Sequence, residues 1–435
     1  MPPLETGILG LVAILVLIAL RVPVGLALSV VSFLGIWQIT SLNTAAGAIA
    51  VLPYDFIAHW TLSAVPMFLL MGAVVYHSGL TTSLFRAARL WLAGLPGGLA
   101  VASNFTCAGF AAASGSSLAT ASAMAKIATP EMLRYRYDPG LATGVVAAGG
   151  TLGSLIPPSV LFVLYGIFAE ESVSALLIAG ILPGVLTAAV YTVMIVTRCW
   201  ASPRLAPPIH EKVGWYERFA ALRSVWPLPL LIACVIGGIY SGLTTVTEAG
   251  AFGAMMAFVI AMAMGKCSLG SMHAAVREAV LTTANIFFIA AGAILLTRFL
   301  MLTGLPGALS DFVSTHAQSQ LAVLAFATVI YLVLGTFLDP VGIMLLTLPL
   351  LLPLFKTFGM DGIWMGVLVV KFLEIGLLTP PVGLNVYAVR CVVDVPLETI
   401  FKGVGWFLLC EVVIVACLVT WPEISLFLPS LASIR

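Results

Sequence analysis

The sequence predicts an all-α polytopic membrane protein with roughly ten spans and two re-entrant hairpins. Of the 435 residues, 61% are hydrophobic and 9% are charged, whereas about 25% of residues are charged in soluble domains. Uncharged runs of 33, 30, 36 and 31 residues occur within the first 170 positions, and one helical span needs about 20 residues. Buried helices of large soluble proteins are shorter than these runs, so the chain is expected to lie in a bilayer.

Charge and cysteine usage argue against several classes of partner. The formal net charge is +1, and a nucleic-acid partner would require a basic surface. The seven cysteines show no C-x-x-C spacing and are interpreted as small apolar residues, not as metal ligands or disulfides. The acidic N-terminus, Met1–Glu5, lacks the basic start of a signal peptide, so the apolar run Thr6–Leu20 is expected to remain as a span.

The distribution of lysine and arginine predicts the orientation of the chain. With the N-terminus outside, most basic residues fall on the inner side, among them Arg86, Arg89 and Lys126. The hydrophilic segment Arg198–Arg223 mixes charged and aromatic residues, which is typical of an amphipathic helix in contact with membrane lipid at the inner interface. This segment joins two halves of similar size.

An internal repeat relates the two halves at an offset of 223 residues. The offset pairs Pro157–Pro158 with Pro380–Pro381, Gly153 with Gly376, Pro130 with Pro353, and Ser116 with Asp339. Five predicted spans separate the two proposed hairpins, and because five is odd the hairpins are expected to enter from opposite faces. Inverted-topology repeats that meet at the bilayer midplane are a recurrent architecture of secondary transporters.

Two apolar runs are overlong and carry helix-breaking residues at their centres. The first run, Leu99–Lys126, has a centre that reads Ser-Gly-Ser-Ser from Ser114 to Ser117. The second run, Leu321–Lys356, contains Gly335 to Pro340 at its centre, where proline removes a backbone donor. Both centres are predicted to be the tips of re-entrant hairpins.

Each hairpin is followed by a span that is itself interrupted by glycines and a proline pair. These interrupted stretches are Gly149–Ser159 and Gly376–Asn385, and paired prolines strongly disfavour a continuous helix. Unwound backbone survives in a membrane only where it faces protein or a wet cavity. A single Gly/Ser cluster taken alone would indicate close helix packing, but four breaks at matched spacing are expected to converge on one site.

The residue types at these breaks suit a small cation together with an organic anion. Freed carbonyls and hydroxyl oxygens are ligands for a hard cation, and the N-terminal ends of half-helices favour an anion, so the residues predict cation-coupled anion transport. We expect one cation site at each hairpin and the anion between them. The predicted cation ligands are Ser116, Gly149, Thr151, Gly153 and Pro157 in the first site and Gly335, Thr336, Asp339, Gly376, Thr379 and Pro380 in the second; the predicted anion-binding residues are Ser114, Ser116, Ser117, Ser159 and Asn385.

Asp339, Lys371 and Glu374 lie inside apolar segments, where charge is costly and usually functional. Asp339 is expected to organise the second hairpin or its cation site, and the alternative is that it only caps the half-helix that begins at Pro340. Lys371 and Glu374 are three residues apart on one predicted helix, so they are interpreted as neutralising each other. The alternative for this pair is a role in gating.

Four sequence motifs carry a resemblance to a known family. They are Ser114-Gly115-Ser116-Ser117-x-Ala119-Thr120, Pro130-Glu131-Met132, the stretch from Ala147 to Ser159, and the stretch from Glu374 to Asn385. At these residues the chain resembles the large membrane subunit of tripartite ATP-independent periplasmic (TRAP) transporters, within the ion-transporter superfamily. The resemblance covers nearly the whole chain. A further motif, Thr247-Glu248-Ala249-Gly250-Ala251, also resembles the family and departs from it at Gly250, where the family often has alanine.

The resemblance implies an elevator mechanism in the bacterial inner membrane, driven by a sodium (Na+) gradient. It also implies a small four-helix membrane subunit and a periplasmic solute-binding protein as partners, and an organic acid such as a C4-dicarboxylate or sialic acid as substrate. The expected domains are scaffold helices in residues 1–96, a first transport half in 97–170, further scaffold helices in 171–300 with the linker 198–223, a second transport half in 301–392, and a C-terminal helix in 393–435.

Other functions remain open from the residues alone. A stand-alone cation-coupled carboxylate transporter of the same superfamily and an ion channel would share these patterns. An intramembrane serine hydrolase would need a general base beside the serine cluster, but all five histidines fall near the ends of apolar runs or in loops. ATP-driven pumping is disfavoured because the sequence has no G-x-x-x-x-G-K-[ST] motif.

Overall fold

The protein is all-helical, as the long uncharged apolar runs predict. A computed structural model describes residues 2–208, 214–316 and 319–431. Helices account for 82% of the structure, and no β-strand occurs within those described ranges. The all-α fold class is therefore confirmed.

The first half of the chain forms helices of very different lengths, several of them broken by short gaps. In chain order they are α1 (Pro3–Ala19), α2 (Val24–Ile39), α3 (Leu42–Ile57), a 3₁₀ turn (Trp60–Ser63), α4 (Ala64–His77), α5 (Leu80–Leu92), α6 (Gly98–Ser114), α7 (Ser117–Arg134), α8 (Pro139–Gly150), α9 (Leu152–Leu155), α10 (Val160–Ala169), α11 (Val173–Ala179) and α12 (Ile181–Ala201).

The second half begins after the hydrophilic linker and repeats the pattern of broken helices. It contains α13 (Trp215–Leu222), α14 (Pro227–Tyr240), α15 (Val246–Ala263), α16 (Leu269–Thr303), α17 (Leu305–His316), α18 (Gln320–Gly335), α19 (Pro340–Thr357), α20 (Gly362–Gly376), α21 (Leu384–Arg390), α22 (Leu397–Thr420) and α23 (Glu423–Leu431).

Length and composition give six helical segments within the described residues that could cross a membrane, and eight if each of two bent pairs counts as one span. Four further apolar helices are shorter, with 10–17 residues: α1, α2, α3 and α18. Shorter helices can span when flanking residues extend the apolar length. The total of roughly ten spans therefore stays a prediction.

The 223-residue repeat is present in the helix boundaries themselves. Helix α7 runs from position 117 to 134 and α19 from 340 to 357, so both ends of these helices are related by the same offset. Helices α8 and α20 begin at positions 139 and 362, again 223 apart. Because the offset was found in sequence and recurs in the backbone, the two halves are structural repeats.

Helix caps repeat at the same offset. Asp138 caps α8 by accepting the Leu141 amide at 2.9 Å, and Asp361 caps α20 by accepting the Trp364 amide at 2.9 Å. An aspartate side chain at this position satisfies an amide that the helix leaves unpaired. The repeat thus preserves helix N-caps as well as the positions of prolines.

Both predicted hairpins fold back on themselves. In the first, α6 ends at Ser114 and α7 begins at Ser117; Ser114 lies 2.9 Å from Thr120 near the tip, while the Leu99 amide donates to the Tyr137 hydroxyl at 3.2 Å near the base. In the second, the Thr347 hydroxyl donates to the hydroxyl of Tyr331 at 3.1 Å, and the Gln320 side chain of α18 donates to the Phe358 carbonyl beyond α19 at 3.0 Å. These contacts require antiparallel helices.

The two proline-containing spans are interrupted where the sequence predicts. Helices α8 and α9 turn into α10 through Ile156–Ser159 with a bend of 42°. Helices α20 and α21 are separated by positions 377–383. The Pro157–Pro158 and Pro380–Pro381 peptide bonds are both cis.

The linker between the halves contains the predicted amphipathic helix. On α13, Trp215, Tyr216 and Phe219 are exposed, and the Trp91 indole of α5 donates to the Arg218 carbonyl at 3.1 Å. Exposed aromatic residues on such a helix suit the headgroup region of a bilayer. Glu211 and Lys212, which contributed to this prediction, lie outside the described residues.

Two groups of helices pack mainly among themselves. Helix α16 packs against α1, α2, α3 and α4 and also against α19 of the second hairpin, and α15 packs against α4 and α14. The broken spans instead pack with α7, α12 and α22, where the contact of α8 with α22 is especially extensive. The broken spans are therefore in direct contact with α12 and α22.

Candidate functional site

The tip of the first hairpin rests on the break in the first broken span. Gly115 links α6 to α7 with a φ of 61°, a left-handed conformation that glycine adopts without strain. Ser116 then caps α7 by accepting the Ala119 amide at 3.4 Å. A Cβ atom on Gly115 would lie 2.5 Å from the Pro158 carbonyl oxygen, so only glycine allows this approach.

Ser116 and Gly153, both predicted cation ligands, are in contact. A Cβ atom on Gly153 would lie 2.6 Å from the Ser116 carbonyl oxygen. The neighbouring Thr151 hydroxyl donates to the Ala148 carbonyl of its own helix at 2.6 Å and also contacts the Tyr191 side chain of α12. Gly149, by contrast, faces Cys107 of α6 and not the hairpin tip.

Carbonyl oxygens at the first break are available for a cation. Those of Ile156, Pro157 and Pro158 accept no hydrogen bond from any described residue. These residues are also largely buried, and a buried carbonyl normally has a partner. The arrangement supplies the oxygen ligands that hard cations prefer.

The second half builds a comparable contact with different residues. Gly335, at the end of α18, lies against Gly376, at the end of α20, and a Cβ atom on either would be 2.7 Å from the Cα atom of the other. The hydroxyls of Thr336 and Thr379 donate to the carbonyls of Val333 and Ile375, both at 2.8 Å. Their lone pairs remain free for a cation.

Asp339 organises the tip of the second hairpin. Its carboxylate accepts the Gly342 amide at 3.0 Å and caps α19, which is the capping role that the sequence left open. Ser116, 223 residues earlier, caps α7 in the equivalent place. The carbonyls of Gly335, Thr336 and the proline Pro380 accept no hydrogen bond from the described residues.

The predicted anion-binding residues do not all reach one surface. A cavity of about 880 Å³ opens beside the first hairpin tip and is lined by Ser114 and Ser116. Ser117, Ser159 and Asn385 are almost fully buried and do not line it. Their placement as direct substrate contacts is therefore not supported in the conformation observed.

Each of these buried residues holds the core together instead. Ser159 caps α10 by accepting the Phe162 amide at 3.4 Å. The Asn385 amide nitrogen donates to the Ala147 carbonyl at 3.3 Å, which ties the second broken span to the first. Asn385 Oδ1 has no partner within the described residues, so this side chain keeps one acceptor free.

Glu374 connects the two repeats. The Ser117 hydroxyl donates to Glu374 Oε1 at 2.5 Å and also lies 2.8 Å from the Ser154 hydroxyl. The Glu374 carboxylate of α20 also hydrogen-bonds with Ser154. It therefore contacts both the first hairpin, through Ser117, and the first broken span, through Ser154 of α9. This contact was not predicted, since the residues are 257 positions apart.

The predicted neutralisation of Lys371 by Glu374 is wrong. Lys371 Nζ lies 2.7 Å from Glu411 Oε2 on α22 and 2.8 Å from Glu411 Oε1. The Thr187 hydroxyl of α12 accepts a further bond from Lys371 at 3.0 Å, and Tyr191 donates to Glu411. Lys371 pairs with Glu411 rather than with Glu374, three residues along its own helix, because the packing of α22 brings the Glu411 carboxylate within hydrogen-bond distance.

Glu411 is the residue that sequence reasoning missed. It is a carboxylate inside an apolar helix and is 1% exposed. The criterion that singled out Asp339, a charge within an apolar segment, would have found it.

Comparisons of the sequence with known proteins all point to one transporter family. The sequence matches the family described as "Tripartite ATP-independent periplasmic transporter, DctM component" over residues 11–424. It is 35% identical over 391 residues to the C4-dicarboxylate TRAP transporter large permease protein of Pseudomonas aeruginosa, with 88% of this chain and 89% of that protein covered. The sialic acid TRAP transporter large permease protein of Vibrio cholerae is 31% identical over 412 residues, with 94% and 95% covered.

A solved structure has a similar fold. The YdaH transporter of Alcanivorax borkumensis superposes with a TM-score of 0.62 and covers 87% of this chain and 89% of its own. The sequence identity is 12%, so the likeness concerns the fold alone.

Proposed function

This chain belongs to the DctM component family of tripartite ATP-independent periplasmic transporters, and from that premise we propose that it imports a small organic acid coupled to sodium. The family and the multi-span fold make it an integral inner-membrane protein. They also confirm the predictions of a transporter and not an enzyme.

The observation that carries the proposal is a pair of repeat-related contacts between a hairpin and a broken span. At each contact, glycine permits close backbone approach and unbonded carbonyl oxygens lie beside threonine hydroxyls. Such oxygen sets suit a small hard cation. Sodium would be held by Ser116, Thr151, Gly153 and Pro157 in one half and by Gly335, Thr336, Gly376, Thr379 and Pro380 in the other.

The proposed substrate class is organic acids. The two relatives described above are named for C4-dicarboxylates and for sialic acid, and both are carboxylated. The cavity beside Ser114 and Ser116 has the volume that small-molecule sites require. A sodium ion bound at the neighbouring hairpin tip would offset the charge of the carboxylate.

Elevator motion is the proposed mechanism of access. The hairpins, the broken spans, α12 and α22 would move as one body, because the buried pair Lys371–Glu411 and the Thr187 hydroxyl tie α20, α22 and α12 together. Helices α1 to α4 and α14 to α16 would form the static scaffold. This proposed division differs from the domains expected from sequence, which placed α12 among the scaffold helices of residues 171–300 and α22 in a separate C-terminal segment, residues 393–435.

The proposed partners are a small four-helix membrane subunit and a periplasmic solute-binding protein. Membership in a tripartite family supports this proposal. The binding protein would deliver the organic acid, and the small subunit would enlarge the scaffold.

The test is uptake into proteoliposomes that carry this chain with both partners. Labelled succinate and sialic acid serve as probes, and an inward sodium gradient is compared with an equal potassium gradient. Accumulation of either probe only with sodium supports the proposal, whereas sodium-independent accumulation overturns the coupling. Undiminished uptake without the binding protein and small subunit would identify a stand-alone carrier instead.

A further inference from the structure

The cavity at the first hairpin tip extends along one face of α7. Ser116, Ala119, Ser122 and Lys126 all line it, at spacings of three or four residues. Residues at these spacings share one face of an α-helix. The helix therefore presents a polar stripe that leads from the hairpin tip to a lysine.

Lys126 lies too far from the hairpin tip to contact a substrate that is bound there. Lys126 is ten positions beyond Ser116, which corresponds to about 15 Å along a helix. A C4-dicarboxylate is shorter than that distance, so a substrate held at the tip would not touch Lys126. The lysine lies on the side that the positive-inside pattern assigns to the cytoplasm.

The His77 and Glu278 side chains, which also line the cavity, contact each other. On the opposite wall, the His77 ring of α4 lies 2.7 Å from Glu278 Oε2 of α16. Lys126 is exposed to the cavity and, within the described residues, has no carboxylate partner; its Nζ contacts only the Tyr76 hydroxyl at 3.4 Å. The ammonium group is therefore free to bind an anion.

A lysine near the end of a membrane helix commonly extends to the lipid headgroups. Lys126 differs because it lines a cavity formed by α4, α5, α6, α7 and α16, and because it continues a line of cavity-facing serines on α7. An ammonium in such a concave, partly apolar setting attracts anions more strongly than one on an open surface.

We propose that Lys126 is an anion-binding residue on the exit path, where it binds a carboxylate of the substrate after the substrate leaves the hairpin tip. The proposal rests on the organic-acid transport function proposed above. It adds a second anion position, about 15 Å from the first along α7, that lowers the barrier for release into the cytoplasm.

The first experiment measures the electrostatic potential of the cavity without any transport. A Ser122→Cys variant, in a background where the exposed Cys267 and Cys391 are serine, is reacted with an anionic and a cationic methanethiosulfonate reagent. We expect Lys126→Gln to lower the ratio of anionic to cationic reaction rates by about 5- to 10-fold, because one charge four residues away is removed. An unchanged ratio overturns the proposal.

Two controls accompany this measurement. The same background without Ser122→Cys gives the residual reaction of the remaining thiols. Lys402→Gln removes an equal charge at an exposed site, where Lys402 pairs with Glu398 at 2.7 Å, and should leave the ratio unchanged.

The second experiment measures transport from each face. With succinate as the probe in counterflow, Lys126→Gln should raise the apparent KM on the cytoplasmic face about 5- to 10-fold and leave the opposite face unchanged, while Lys126→Arg restores the parent value. An unaltered cytoplasmic KM overturns the proposal. If the parent protein does not transport succinate, the proposed substrate class fails. The ratio of thiol reaction rates then still tests whether Lys126 attracts anions into the cavity.

Discussion

The ammonium of Lys371 lies 2.7 Å from Glu411 Oε2, with both side chains almost completely buried. The pair joins α20, the second broken span, to α22, and Thr187 and Tyr191 bring α12 into the same network. A buried ion pair needs such additional hydrogen bonds to offset the desolvation of both charges. The network therefore fixes three helices relative to one another.

Removing one member of this pair should destabilise the protein strongly. We expect Glu411→Gln or Lys371→Met to cost about 3–5 kcal/mol of unfolding free energy, because the remaining charge stays buried without its partner. The double variant Lys371→Met/Glu411→Leu should recover most of the loss, and thermal unfolding in detergent measures all three. Breaking the exposed pair of Lys402 and Glu398 is the matched control and should leave the melting temperature unchanged; equal effects at both pairs would contradict a structural role for the buried one.

Closing the gap between Gly335 and Gly376 should disrupt the second half. Gly376→Ala would place a methyl group 2.7 Å from the Gly335 Cα atom, and such overpacking costs about 1–3 kcal/mol. We expect a lower melting temperature and weaker sodium dependence of uptake. Gly405→Ala, on α22 with no atom within 4 Å of the new methyl group, should be neutral or slightly stabilising; a similar loss there would rule out the close contact as the cause.

The threonines of the second half should determine the sodium requirement. We expect the double variant Thr336→Ala/Thr379→Ala to raise the half-saturating sodium concentration roughly 10- to 100-fold, the range for losing hydrogen-bond-strength contacts to a charge. Uptake measured against sodium concentration tests this. Thr328→Ala is the control, because Thr328 makes the same bond to its own helix, to the Leu324 carbonyl at 2.7 Å, away from the break. Unchanged sodium dependence in the double variant would refute the second site.

The segment around α13 should face the cytoplasm. A single cysteine introduced at Glu217, which is exposed, should react with an impermeant maleimide only after the cells are permeabilised, because the basic residues around it favour the inner side. A cysteine at the exposed Asp311, predicted to lie outside, should react in intact cells. Labelling of the Glu217 variant in intact cells would show that this segment lies outside and would contradict the predicted orientation.

Local residue chemistry accounts for the parts of this fold that the sequence predicts well. The Ser114–Ser117 and Gly335–Pro340 breaks, the two proline pairs and the 223-residue offset all recur in the backbone. Proline and glycine act on their own φ and ψ angles and on the adjacent hydrogen bonds. Their effect is therefore visible without knowing what packs against them.

The sequence by itself thus determined the membrane fold, the repeat and the four breaks, whereas only the tertiary structure decided which charged and polar residues meet. Lys371 bonds to Glu411 rather than to the nearby Glu374, and Glu374 bonds to Ser117 at the tip of the first hairpin. In an apolar interior each buried charge takes the partner that best satisfies it. That partner depends on how whole helices pack, because the packing brings together residues that are 40 and 257 positions apart.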